Sequence, residues 1–578
     1  MASAGPIPAC AHDRWDGGAA RALARLDGST SNAEGPGWGV VKWSGLKWGV
    51  LAVALAMGGN AMAQQRETVD LDMVGKIRQQ AFHQSQVMDT FSYLTERIGP
   101  RLTNSPAMGR ANAWTRGKFN DWKLDNVHDE AFDGFGRGWE FTSASVEMLG
   151  DRVQPLHALP KAWTPGTRGP VEGELVQVDI KKPEDIEKYR GKLRGKILLL
   201  GEAREYKRGT DADSHRHDAT SLEGLQEFTL PKDKDVVADR AKRVKEYQEK
   251  QALAAKVNAF FVAEGALASI SISGWDNGII RIAGGGSRKA GESVGIPELA
   301  MIAEHFNPLV RALEAKQPVR LRVDVAARFT DETDQPGYNT LAEIRGSSRP
   351  DEVVMIGAHL DSWHSGTGAA DNAAGVAVMM EAMRILKAAG AKPKRTIRVA
   401  LWSGEEQGLI GSQAYVAKHF GGFPEPADAA QKALPASLRE PTGALQKTRD
   451  YSKFQVYFNM DNGSGRFRGI YAQENMAAVP IFEAWLAPFR DVGATTVATR
   501  NTGSTDHISF DRIGLPGFQF IQDRLDYFTN VHHSHLDTWD HAEPEDLKQA
   551  AAIVASFAYH AAMREPSFPR KPEPQPQP

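Results

Sequence analysis

Six side chains that could bind a cation or move a proton interrupt apolar runs in the second half of this chain. His359 and Asp361 follow DEVVMIGA, Asp371 lies in GAADNAAG, Glu405 and Glu406 follow TIRVALWSG, and Asp461 follows FQVYFNM. Imidazoles and carboxylates are the ligands of divalent transition ions when thiolates are absent, and the single cysteine, Cys10, is remote in sequence from all six. Where two cations sit about 3.5–4 Å apart, one carboxylate bridges them, and Asp371 is placed to bridge. Asp361, two residues from His359, is placed to accept the imidazole N–H that a metal leaves unused. Neighbouring side chains diverge, so the pair Glu405-Glu406 divides the work: one ligates and the other stands beside the attacking water as general base. Two divalent ions balance the carboxylates of Asp371, Glu406 and Asp461 plus one bridging hydroxide, which leaves Glu405 to carry the proton. A further imidazole ligand is expected from His532, His533 or His535 in the loop HHSHLD.

Taken singly these motifs say little. A His-x-Asp is common, a Glu-Glu pair usually faces water, and an aspartate before a helix is an ordinary N-cap. Their joint position carries the signal. Strand-like runs occur at Glu352–Gly357, Thr396–Trp402, Phe454–Met460 and Gly517–Ile521. A helix is expected over Ala373–Ala389, with Val376, Met379, Met380, Met383 and Leu386 on one face. Another is expected over Pro544–Ala558, with Leu547, Ala550, Ala551, Val554 and Phe557 inward. Strands alternating with helices predict an α/β fold, a mostly parallel mixed sheet sandwiched by helices. Ligands of such sheets bind beyond the carboxyl ends of the strands, which is where these acids and histidines fall.

The remaining chain supplies packing. Gln64 to Trp122 reads as helices; Gly99-Pro100 stops the second, and Ser105-Pro106 gives the N-cap and first residue of the third. From about Leu156 the texture changes to short strands, ELVQVDI (Glu174–Ile180) and KILLLG (Lys196–Gly201). A charged helical pattern follows at Asp235–Lys256, then β-like runs at Asn258–Ala263 and Ala268–Ile272. This segment reads as a smaller β-rich domain inserted into the larger one. Ser214-His215-Arg216-His217-Asp218 lies in a polar stretch and is expected to be a solvated loop. Gly284-Gly285-Gly286-Ser287 lacks the lysine and context of a phosphate loop. The expected divisions are 1–63 (extension and signal), 64–155 and 326–565 (catalytic domain), 156–325 (inserted domain) and 566–578, a Pro-rich disordered tail.

Formal net charge is −3 with no basic block, which argues against nucleic acid as partner. Lys42 and Lys47, the apolar run Trp48–Met57 and Ala61-Met62-Ala63 form an export signal, with cleavage near Ala63/Gln64. The run is about half the ~20 residues that span a bilayer, so no stable membrane span is expected after cleavage and the product is periplasmic or extracellular. The polar residues before it point to initiation near Val40 or Val41, a hypothesis that N-terminal sequencing of the precursor decides.

HLD (His359–Asp361), GAADNAAG, SGEEQGLIGS (Ser403–Ser412), NMDNGSG and HHSHLDTWD (His532–Asp540) resemble the co-catalytic zinc exopeptidase family of bacterial leucyl-type aminopeptidases and glutamate carboxypeptidases, from about Leu71 to Ala561. The resemblance implies one zinc held by His359, Asp371 and Asp461 and another held by Asp371, Glu406 and His533. Glu405 would be the general base and Asp361 the partner of His359. His533 is preferred because the family's last histidine precedes Ser/Thr-x-x-Asp, here Ser534 to Asp537. It also implies that the inserted domain is of protease-associated type, that Asp506 and His507 in TGSTDHISF line the substrate pocket, support its lining from behind or pack its loop, and that the chain forms a homodimer. The Pro/Ala-rich stretch from about Phe423 to Asp450 departs from the family pattern. The implied reaction is hydrolysis of dipeptides or of terminal residues of peptides, with two Zn²⁺, or Mn²⁺ or Co²⁺ in their place. The competing expectations are a non-catalytic receptor on the same scaffold and a single-zinc glutaminyl cyclase-like acyltransferase.

Overall fold

The four apolar runs become the parallel centre of an eight-stranded mixed sheet. Its spatial order is Asp125–Gly136, Gln335–Ile344, Arg395–Trp402, Arg349–His359, Phe454–Asn459, Gly517–Gln522, Phe467–Tyr471 and Thr496–Ala498. Register fixes the site. His359 pairs with Trp402, and Gly357 pairs with Ala400 on one side and Asn459 on the other. His359, the residues after Trp402 and Asp461 therefore emerge at one level of one sheet edge. The computed structural model describes residues 67–574 except 207–208, 228–235, 436–437 and 441; the export signal, Cys10 and residues 575–578 lie outside the described residues. No helix among the described residues is long and apolar enough to cross a membrane.

Helices cover both faces. Ala374–Ala388 is buried all round from Ala374 to Leu386, not only along the expected face, because Leu71–His83, Val87–Ser92 and Pro544–Met563 pack over it. Pro544–Met563 is likewise buried from Asp546 to Ala562 except at Lys548. Ser105 caps Pro106–Asp121 as expected, its side chain accepting from Met108 N.

A second eight-stranded sheet runs in the order Gln154–Leu156, Trp139–Leu149, Arg320–Phe329, Val171–Val178, Ile197–Leu200, Ala268–Ile272, Glu298–Met301, Ala158–Pro160. It starts before the expected boundary at 156: Trp139–Leu149 pairs with Arg320–Phe329 from Trp139↔Phe329 to Leu149↔Arg320, closing the segment at its base. It belongs to the same compact unit as the first sheet. Asn258–Ala263 is helical, not β-like, as the end of Val236–Glu264, and Phe260 and Phe261 pack with Leu193 and Leu198. A short apolar run fits either period, and the preceding helix decides it.

One polar stretch is exposed as expected and another is not. Ser214–Asp218 is solvent-exposed apart from the half-buried His217, but it is tied down on one side. His215 exchanges backbone hydrogen bonds with Leu525 (2.9 and 2.7 Å). Arg216 Nη1 donates to Asp523 and Asp546 (2.9 and 2.6 Å), and both acids are buried. The expected disordered tail is ordered over Pro566–Pro574. Phe568 is buried against Phe482, Trp485 and Phe518, and Arg570 donates to the carbonyls of Tyr451 and Phe454.

Arg101 ties the helical layer to the site. Fully buried, its guanidinium donates to the carbonyls of Leu94, Gly99, Leu360, Thr367 and Gly368 at 2.7–3.3 Å. Burial pulls it down to about 10, and Asp537, Asp361 and Asp371 act in the opposite sense, so it stays charged. Arg101→Met is expected to destabilise the protein by about 3–5 kcal/mol, the cost of breaking a buried charged network. Arg101→Lys should recover little, because an ammonium has no planar fork. Urea midpoints of the two variants check this.

Candidate metal centre

Asp371 is at the centre of the cluster. Oδ1 lies 3.2 Å from His359 Nε2, and Oδ2 lies 3.3 Å from His533 Nε2. On the first side Asp461 Oδ1 is 3.3 Å from the same His359 nitrogen; on the other, Glu406 Oε2 is 3.0 Å from the same His533 nitrogen. All five residues expected as ligands converge here. A small cavity lined by Trp363, Gly368, Asp371, Glu406 and His533 adjoins the second group.

Local chain geometry frees Asp371 for this task. The helix begins at Ala374, and Asp371 and Asn372 before it have non-helical backbone. Asn372, not Asp371, does the capping: its Oδ1 accepts from Gly375 N (3.0 Å) and its Nδ2 donates to Met460 O (2.8 Å). This draws the helix start against the strand end that carries Asp461. Gly375 is required there, since a Cβ would lie 2.4 Å from Asn372 Oδ1 and 2.6 Å from Met460 O. Asp537 completes the cradle, accepting from Ala370 N and Asp371 N (2.6 and 3.2 Å). Sequence reasoning gave Asp537 no role; its signal was the Ser-x-x-Asp spacing after His533.

Asp361 acts otherwise than expected. His359 Nδ1 donates to the backbone carbonyl of Asp361 (2.9 Å), while the Asp361 carboxylate is 3.8 Å away. That carboxylate accepts instead from Thr103 Oγ1 (3.0 Å) and from the backbone N–H groups of Glu405 and Glu406 (both 3.3 Å). Its work is to aim the glutamate pair. Thr103 was not anticipated; an alternating Arg-x-Thr after a helix stop is too weak a signal.

Asp506 and His507 do not line an accessible wall. Both are fully buried, His507 Nε2 meets Thr502 O at 3.1 Å, and both Asp506 carboxylate oxygens lack a hydrogen-bond partner. The segment that carries them packs beneath the glutamate pair, its Ser509 Oγ 2.8 Å from Ser412 Oγ.

The donor set fits a pair of cations. With the His359 Nδ1 proton committed to a carbonyl, Nε2 turns its remaining valence toward two carboxylate oxygens, an arrangement that requires a positive charge between them. Glu406 Oε1 is buried with no partner. Burial and Asp371 push Glu406 up to about 7, and burial, with Asp461, Asp506 and Glu406 nearby, pushes Glu405 well above the usual carboxylate range. Burial and Asp371 push Asp537 up to about 8. Burial lowers His359, but Asp461, Glu405 and Asp371 outweigh it and hold it well above an ordinary histidine. Among the described residues three overlapping triads have atoms close enough to share one ion: His359, Asp371 and Glu406; His359, Glu405 and Asp461; Asp371, His532 and His533.

The second sheet's segment reaches this loop directly. Ile282 N donates to His533 O (3.0 Å), His535 N donates to Ile280 O (3.1 Å), and Arg281 pairs with Ser534 as an antiparallel bridge.

Residues 339–558 match Peptidase family M28. Carboxypeptidase Q of Pongo abelii is 25% identical over 504 residues, covering 87% of this chain and 89% of that protein. Aminopeptidase YwaD of Bacillus subtilis is 25% identical over 278 residues, 48% of this chain and 54% of that protein. A crystal structure of a peptidase M28 precursor from Shewanella amazonensis aligns with a TM-score of 0.59 at 25% identity, over 87% of this chain and 98% of that one. With an acid- and imidazole-lined centre at the carboxyl edge of the same fold, the chain is a metallopeptidase whose residues 339–558 match peptidase family M28.

Proposed function

We propose that this protein is an exported exopeptidase with two divalent cations, zinc by preference, that hydrolyses dipeptides or terminal residues of peptides. The observation that carries this is Asp371, whose two oxygens each face the Nε2 of a different histidine. His359, Asp371 and Asp461 would hold one ion and Asp371, Glu406 and His533 the other. Zinc is favoured by the mixed imidazole and carboxylate set. It is also consistent with the zinc aminopeptidase from Bacillus subtilis, which shares the fold (TM-score 0.50, 20% identity). Export rests on the sequence of Trp48–Ala63, and the second sheet is read as a protease-associated-type domain that restricts access to the site.

Bound there, the ions would supply water acidic enough to attack at neutral pH and charge to polarise the peptide carbonyl. The chain supplies the proton path. Glu405, aimed by Asp361, takes the proton of the attacking water and returns it to the leaving amine nitrogen. Its position among Asp461, Asp506 and Glu406 in a buried site keeps its proton affinity high. Asp537 and Asn372 hold Asp371 in line.

Three outcomes are expected. Dialysed protein should carry roughly two zinc per chain by elemental analysis; one per chain would favour the single-zinc acyltransferase and remove the bridging role of Asp371. Asp371→Asn should lose metal from both positions. Glu405→Gln should keep full metal while turnover of an unblocked dipeptide falls by roughly 10²–10⁴-fold, whereas Glu406→Gln should lose metal as well.

A further inference from the structure

His532 has no part in the scheme above, yet its Nε2 lies 3.9 Å from Asp371 Oδ2 and its ring lies against His533, tilted by 37° with centroids 3.7 Å apart. The pair of histidines leaves two roles open to it: a third imidazole ligand, or a group that touches substrate. The other face of the ring decides between them. Arg281 Nη2 is 3.1 Å from His532 Nδ1. A guanidinium donates and never accepts, so Nδ1 must be the acceptor and the ring proton must sit on Nε2. An Nε2–H nitrogen has no lone pair for a metal. It is a hydrogen-bond donor 3.9 Å from the Asp371 carboxylate, at the edge of the proposed cation pair.

Arg281 is itself fixed. It sits between strands Ala268–Ile272 and Glu298–Met301. Its backbone is bridged to Ser534, its N–H donates to Ser273 Oγ (3.0 Å), and its guanidinium lies 5.1 Å from the Trp275 ring. His532 is held between His533, Tyr527 and Phe528, with ring centroids 3.7, 5.0 and 5.9 Å away. Its side chain stays 14% exposed, so an incoming molecule can reach it.

We propose that His532 donates its Nε2–H to the scissile carbonyl oxygen of the peptide and is not a metal ligand, and that Arg281 is the positioning residue that fixes its tautomer. This rests on the peptidase reading above. It assigns the second sheet a part in the chemistry: it delivers the residue that sets a donor aimed at charge developing on that oxygen.

The test uses the full-length, zinc-loaded protein and its His532→Phe, His532→Gln and Arg281→Met variants. Metal content is measured by elemental analysis, kcat and KM with the dipeptide Ala-Leu, and affinity for a phosphinic analogue of Ala-Leu by calorimetry. His532→Phe is expected to keep full metal, lose about 10²-fold in kcat with KM little changed, and bind the analogue correspondingly more weakly. His532→Gln, which restores an N–H donor, should recover part of both losses, and Arg281→Met should show a smaller fall with full metal. Loss of metal from His532→Phe and His532→Gln would make the residue a ligand and overturn the proposal. Full metal with unchanged kcat and analogue affinity would overturn it as well. If His532→Phe does not fold, the Gln and Arg281→Met variants decide. Should the wild type turn over no dipeptide at all, the peptidase reading fails by itself, and metal content of the variants still separates ligand from donor.

Discussion

Negative charge buried at one sheet edge is the constraint that the rest of this molecule serves. Asp361, Asp371, Glu406, Asp461, Asp506 and Asp537 are withdrawn from water within one neighbourhood, with Glu405 beside them. Like charges at low dielectric repel strongly, and burying an ionised carboxylate without a partner is costly. Arg101, two imidazoles and the backbone N–H groups of residues 370, 371, 405 and 406 offset part of this. The remainder is relieved by protons, which is why Glu405, Glu406 and Asp537 titrate high, or by cations. The same imbalance that would destabilise an empty fold makes it a strong cation trap.

The fold concentrates that imbalance with few residues. Parallel strands in matched register bring His359, the glutamate pair and Asp461 to one level without any long reach of side chain. Loop contacts then set orientation. Asp361 reads the backbone of Glu405 and Glu406, Asn372 spans from the helix start to Met460, and Asp537 fixes Asp371. The acids that would bind the ions are thus held by acids and amides that would not.

Much of this was legible in the sequence because His359, the glutamate pair and Asp461 follow apolar runs bounded as strands, and strand ends are where sites form. His359, Glu406 and Asp461 were proposed in that way, Asp371 from its place before a helix, and His533 with help from a family pattern; the five lie together in the structure. What escaped depends on backbone contacts that carry no periodicity. Arg101 serves carbonyls, Thr103 serves Asp361, and the spacing of His359 and Asp361 could not distinguish a side-chain carboxylate from the carbonyl of the same residue. Edge strands escaped too. Asp125–Gly136 is mostly polar, with only Phe132, Phe135 and Gly136 buried, as edges commonly are, and so lacks the apolar signal that betrays a central strand. Asp506 and His507 share a motif with the pocket region but point into the packing under it. The Pro-rich composition of the last residues hid Phe568, whose burial orders the segment up to Pro574.

The ligand groups are also dispersed along the chain, and this sets when the centre can exist. His359 and Asp371 are synthesised well before Asp461, and His533 comes last, held by a bridge to residues 280–282 that were made earlier. No emerging portion of polypeptide short of about the last fifty residues contains the complete cage. The proposed pair of sites is therefore complete only once synthesis has passed His533 and residues 280–282 have folded against its loop, whereas the set His359, Asp371 and Asp461 is in hand some seventy residues sooner.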